Sequence, residues 1–314
     1  MTNVIEITNL SKDYETGFWK KKKIRALDDL TLSVSGRQIF GFLGENGAGK
    51  TTTIKVLMTL LSPSSGTARI LGQDIADRGM HSRIGYCPEN PYFYDYLTAR
   101  ELMNYFGELF QIEPTKRKEK TAELLTKVGL DEKDWDKQLR KFSKGMLQRV
   151  GLAQSLINDP EIVFLDEPMS GLDPIGRREI RELIADLPAQ GTTVFMSTHI
   201  LSDAEALCDE VAILRRGTLA AAGKLHELLS ESHEKGSFEI LVSSANADKL
   251  RQSLNGHIEL EERSGDILMI VNGEEHIEAA LRAAHEAGGK LISVNPIRRS
   301  LEDLFVEQTK TNYD

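Results

Sequence analysis

The 314-residue sequence predicts an α/β chain: a large domain built around buried parallel strands, then a small α+β domain. Three observations carry this. The apolar run Ile39–Leu43 leads into Gly44-Glu45-Asn46-Gly47-Ala48-Gly49-Lys50-Thr51, and then into a helix pattern with Ile54, Leu57, Met58 and Leu61 on one face. A second apolar run, Ile162–Leu165, ends in the adjacent carboxylates Asp166 and Glu167, as a central strand buried on both faces would. Beyond residue 236 the pattern reads strand, helix, strand, strand, helix, strand, the split βαββαβ order.

Taken in order, Met1–Leu10 alternates Val4, Ile5 and Ile7 with polar residues, which suits a strand and not a signal peptide. A hairpin returns through Ile24–Leu32, interrupted by Phe18-Trp19-Lys20-Lys21-Lys22-Lys23, a solvated loop tip that could alternatively touch anionic headgroups. Residues 44–51 form a phosphate-binding P-loop in its required strand–loop–helix setting. Its glycines let the backbone wrap an anion, and the new helix aims unpaired N–H groups and its dipole at that anion. Lys50 would reach the β- and γ-phosphates, and the Thr51 hydroxyl would ligate Mg²⁺. Val34–Gln38 and Ser62–Gly66 are turns.

From about residue 86 to 158 the chain becomes charged, aromatic and helical. Leu102, Tyr105, Phe106 and Leu109 recur at helical spacing within Leu97–Phe110, and Leu124, Leu125 and Val128 within Glu119–Val128. Pro91–Leu97 is dense in rings, some expected to pack inward and others to form a partner surface. Lys133–Lys144 reads as a hydrated approach to the next helix. Alternation along the strand sends Asp166 and Glu167 to different sides: Asp166 to hold Mg²⁺, Glu167 to take a proton from an attacking water. His199 follows the strand Thr193–Met196, at the strand end where such folds place ligands. The small domain runs Phe238–Val242, Ala247–Leu254, Ile258–Glu262, Ile267–Val271, Glu275–Ala287 and Leu291–Pro296, closed by a helix at Leu301–Gln308.

The P-loop, Ser143-Lys144-Gly145, Asp166-Glu167, Ser170-Gly171-Leu172-Asp173 and Ser197-Thr198-His199 occur in the order found in ABC-type ATPases. Residues 1 to about 223 therefore resemble an ABC nucleotide-binding subunit, and the tail resembles the appendage of drug- and ion-export ATPases. The resemblance implies a P-loop ABC-type ATP-binding domain at 1–224 with a helical subdomain, a linker at 225–236, and a ferredoxin-like accessory domain at 237–314. It implies that Ser143 and Gly145 contact the γ-phosphate of ATP held by the opposite subunit. Asp173 would lie at the dimer interface, His199 near the γ-phosphate, and Tyr14 against adenine. Glu89 stands where the family usually has Gln, at a metal or lytic-water position; Lys144 and Met146 also depart from the usual signature.

A net charge of -9 argues against nucleic acid as a partner. Cys87 and Cys208 lack metal-ligand spacing and are expected to be reduced thiols. No run approaches the roughly 18 apolar residues of a membrane span. The expectation is an Mg²⁺-dependent ATPase, dimeric through its ATP sites. It would be peripheral on the cytoplasmic face through an integral-membrane transporter subunit, and would work as an exporter. A soluble ABC-type ATPase or nucleotide switch is the rival reading.

Overall fold

The structure is a computed structural model that describes residues 2–16, 22–230, 237–253, 258–263, 265–297 and 300–310. Two compact units divide the chain, Met1–Leu225 and His226–Asp314. The first opens with the antiparallel pair β1 (Asn3–Thr16) and β2 (Lys22–Ser35), followed by β3 (Ile39–Leu43) and α1 (Lys50–Leu57). Strands β4 (Ser65–Ile70) and β5 (Gln73–Asp74) complete a sheet of order β2-β1-β4-β5. Helix α1 stops four residues short of the expected Leu61, because Met58 caps it and Thr59 turns left-handed at φ 56°. Lys22 and Lys23 belong to β2, whereas Phe18–Lys21 lie outside the described residues.

Next come β6 (Ile84–Cys87) and three helices, α2 (Ala99–Leu109), α3 (Pro114–Lys127) and α4 (Lys144–Ser155). Each helix start is written locally. Thr98 and Glu101 form a reciprocal capping box, Pro114 opens α3 behind the Glu113 carboxylate, and the Ser143 hydroxyl accepts from Met146 N at 3.2 Å. Strand β7 (Ile162–Asp166), α5 (Pro174–Asp186), β8 (Thr193–Thr198), α6 (Leu201–Leu207), β9 (Glu210–Arg215) and β10 (Thr218–Lys224) follow, then the short α7 (Leu225–Ser230). The second sheet has the order β10-β9-β3-β8-β7-β6, parallel from β9 through β6, with β10 antiparallel at its edge.

Every residue of β3, β7 and β8 is buried, which explains their unbroken apolar runs. Phe195 is the hub of this core, with ring centroids 5.3–5.4 Å from Phe40, Phe42 and Phe164. The register pairs Leu43 with Thr198 and Asp166 with Ser197. The strand ends that carry the P-loop, the two acids and His199 therefore share one edge of the sheet.

The second unit contains all of α7 but Leu225, then β11 (Ser237–Ser243), α8 (Ala247–Ser253), β12 (Ile258–Arg263), β13 (Asp266–Asn272), α9 (Ile277–Glu286), β14 (Lys290–Pro296) and α10 (Leu301–Lys310). Its sheet order is β12-β13-β11-β14, antiparallel throughout. Ile240, Val242, Met269 and Val271 pack there with Leu250 of α8 and Ala280, Ala283 and Ala284 of α9.

Candidate nucleotide site

The P-loop geometry follows from its glycines. Gly49 precedes α1 at φ 112°, and a Cβ there would lie 2.6 Å from the Ala26 carbonyl, so no other residue fits. The loop closes on itself through Ala48 N donating to Glu45 O at 3.1 Å, and Ala48 O accepts from Gly217 N at 2.9 Å. Lys50 is folded back into this loop and only 6% exposed. Its Nζ donates to Gly44 O at 2.6 Å and Glu45 O at 3.3 Å, and stands 3.5 Å from Glu167 Oε1. These oxygens are the partners that a buried ammonium requires.

The two carboxylates take different side-chain partners, and only Glu167 borders the cavity described below. Asp166, at the end of β7, accepts from Ser197 Oγ at 2.5 Å and from Thr51 Oγ1 at 3.2 Å. Glu167 leaves the strand at φ 50°, a left-handed conformation uncommon for a residue with a side chain. Its N–H donates to Ser197 at 3.2 Å, and its carboxylate turns to Lys50 and to His199 Nδ1, 2.9 Å from Oε2. Extended backbone therefore ends at Asp166, and the left-handed turn at Glu167 sets where its carboxylate goes.

A cavity of about 360 Å³ opens over the P-loop, bordered by Asn46, Gly47, Thr51 and Thr52 and also by Glu89, Glu167 and His199. Its size lies within the range of small-ligand sites. Glu45, Gly49, Lys50 and Ala26 complete its wall. Tyr14 adjoins it, its hydroxyl 3.4 Å from Thr52 Oγ1 and its ring 5.5 Å from the Lys12 ammonium. Thr51 and Asp166 offer a hydroxyl and a carboxylate side by side. Hard oxygens of this kind suit Mg²⁺, which takes one or two carboxylates plus phosphate oxygens and water. Among the described residues no cluster of three or more acids, histidines or cysteines forms an all-protein metal cage, and an ion shared with phosphates needs none.

Ser143, Gly145 and Asp173 do not border this cavity. They gather elsewhere: a Cβ on Gly145 would lie 3.3 Å from Leu172 Cδ2, and one on Gly171 2.8 Å from Lys144 Cδ. Asp173 caps α5 by accepting from Gly176 N at 2.9 Å. The starts of α4 and α5 thus stand side by side as a second cluster.

Sequence reasoning missed Ser197 as a positioning residue, although its hydroxyl holds Asp166 and the Glu167 amide at once. Ser197 stands within the Ser197-Thr198-His199 run, but nothing local along the chain gives it a role of its own. Cys87, in the strand beside β7, is fully buried; that burial and, secondly, the Asp166 charge push its thiol up to about 12. Burial, with a smaller share from Asp166, raises the Tyr86 hydroxyl in the same direction.

The model of the ABC transporter family matches residues 27–170. An uncharacterized ABC transporter ATP-binding protein of Synechocystis is 45% identical over 98% of this chain and 85% of its own length. The bacitracin transport ATP-binding protein BcrA of Bacillus licheniformis is 34% identical, over 98% of this chain and 97% of its own length. A solved dimeric ATP-binding cassette in a post-hydrolysis state, bound to ADP and Pi, superposes with a TM-score of 0.65 at 24% identity, over 70% of this chain and 98% of that one. Phosphate loop, paired strand-end acids and near-full-length relatives agree: the chain belongs to the ABC transporter ATP-binding proteins, as an ATP-binding, ATP-hydrolysing subunit.

Proposed function

We propose that two copies of this chain close head-to-tail around two ATP molecules, each cavity completed by the other copy's Ser143, Gly145 and Asp173. The observation that carries this reading is the split of the site residues into two clusters, one around the cavity and one at the starts of α4 and α5. Helix-start amides and a serine hydroxyl are suited to an anion, and in a single copy that cluster lies outside the cavity.

Lys50 exchanges its bonds to Gly44 O and Glu45 O for the β- and γ-phosphates, which also loosens its hold on Glu167. Glu167, oriented by His199, then accepts a proton from the attacking water. Thr51 and Asp166, with Glu89 of the cavity lining, would hold Mg²⁺, which would neutralise charge developing on the phosphates. Closure favours ATP over its products because only the triphosphate bridges both halves; differential affinity of this kind is what a ligand needs to drive a conformational change.

The work is done on a separate membrane subunit. Tyr92, Tyr94 and Tyr96 are 98%, 55% and 59% exposed, and such rings are enriched in buried interface patches; we assign that patch to the membrane subunit. Among the described residues no helix is long and apolar enough to cross a membrane; we assign attachment to the cytoplasmic face to this partner. Export is the direction, by analogy with relatives named for bacitracin transport and Nod factor export.

Glu167→Gln keeps the shape of the site and removes the base. Turnover is expected to fall by about 100-fold or more, while MgATP binding persists and a stable dimer accumulates on size exclusion. Parent-level hydrolysis by this variant would exclude Glu167 as the base, and a strictly monomeric chain in MgATP would exclude the dimer.

A further inference from the structure

One buried carboxylate outside the cavity has no role in the mechanism above. Asp203, in the first turn of α6, is 2% exposed. It is gripped by two guanidiniums from α5: Arg177 NH2 donates to Oδ2 at 2.5 Å and Arg181 NH2 to Oδ1 at 3.0 Å. The arginines are four apart and so project from one face of α5. Their Nε atoms are buried without a partner among the described residues. Two positive groups therefore converge on one carboxylate and retain unmet donors, an expensive arrangement for mere packing.

Both helices begin at residues that matter to the site. Arg177 N donates to the Asp173 carbonyl at 2.8 Å, so this arginine sits on the first turn after Asp173. On the other side, Asp203 N donates to Ile200 O at 3.2 Å, and Ile200 N to Thr198 Oγ1 at 3.0 Å. The turn so closed contains His199, whose Nδ1 stands 2.9 Å from Glu167 Oε2. A continuous set of bonds runs from Asp173, through Arg177 and Asp203, to the turn that aims His199 at Glu167.

We propose that Asp203, clamped by Arg177 and Arg181, is a positioning residue that ties the Asp173 surface to the His199–Glu167 pair. Arrival of the partner copy at Asp173 is thereby transmitted along the first turn of α5 to the geometry of the receiving copy's own hydrolytic pair. This rests on the head-to-tail reading of the site. Asp203 does not border the cavity and is almost wholly buried, so it governs turnover and not nucleotide affinity.

The test uses the full-length chain. Asp203→Asn preserves shape and one acceptor but removes the charge that holds both arginines. Steady-state phosphate release at saturating MgATP is expected to fall by on the order of ten-fold, with the KM for ATP and the Kd for ATP both within about twofold of the parent. In a Glu167→Gln background the same change is expected to leave the MgATP-dependent dimer intact. Arg181→Gln, at a less buried arm of the clamp, repeats the kcat-only loss at smaller amplitude and serves if Asp203→Asn does not fold. Unchanged turnover per folded molecule, with or without a lower Tm, would overturn the proposal. A parallel loss of ATP affinity would also overturn it, since the cluster would then support the cavity as a whole. Loss of the dimer in Glu167→Gln alone, without any change at Asp203, would instead remove the head-to-tail reading.

Discussion

At the scale of single residues, the site depends on charges held where water is scarce. Lys50 and Glu167 face one another across 3.5 Å with both side chains below one-tenth exposed. The carbonyls of Gly44 and Glu45 supply the remaining partners of the Lys50 ammonium. The thiols behave oppositely, since burial disfavours their charged form. From an ordinary 9.0, burial pushes Cys87 and Cys208 up to about 12. Both are therefore neutral in the folded chain at pH 8, and neither is expected to react with iodoacetamide until the protein unfolds; a mass shift under native conditions would contradict this. The same shift has a consequence for stability. Above pH 9 the unfolded chain releases protons that the folded chain retains. Stability present below pH 9 is therefore expected to drain away between pH 9 and 12, visible as a falling Tm.

At the scale of elements, helix starts serve two purposes at once. Ser143 caps α4 through Met146 N and, in the proposed dimer, meets the partner's phosphate. These roles separate in Ser143→Asp. Aspartate caps as well as serine, so stability is expected to remain within about 0.5 kcal/mol of the parent by chemical denaturation. The added anion would oppose the phosphate, and turnover is expected to fall on the order of 100-fold. A variant that is stable and fully active would dissociate the α4 start from catalysis. Helix α5 adds a second lesson. Its apolar face, Ile180, Leu183 and Ile184, is buried against the core, yet its cap Asp173 and its arginines Arg177 and Arg181 carry the functional argument.

At the scale of the molecule, every residue bordering the cavity, and Tyr14, Asp166, Ser143 and Asp173 besides, lies within the unit Met1–Leu225. That unit has its own core, with Phe40, Phe42, Phe164 and Phe195 fully or almost fully buried. The second unit has a separate one. A fragment ending at Leu225 is therefore expected to fold and to bind MgATP with an affinity within about threefold of the full chain, measured by nucleotide titration. A fragment that folds but has lost ATP affinity would assign the second unit a part in the cavity.

The sequence by itself determined the pieces that are contiguous along the chain. The P-loop, the acids after Leu165, the histidine after Thr198 and the helix caps each satisfy a local backbone need, which the residues at that point announce. The βαββαβ pattern was legible for the same reason. Tertiary structure decided how the pieces meet. Strands β3, β7 and β8 are apolar throughout because both faces are buried, and such runs carry no record of which neighbours they take. Only their packing placed Leu43 beside Thr198 and Asp166 beside Ser197. Packing likewise turned Glu167 left-handed into the cavity, left Ser143, Gly145 and Asp173 outside it, and set Asp203 between two arginines. Contacts between distant segments are settled by the shape of the core they share, and no single stretch of sequence states that shape.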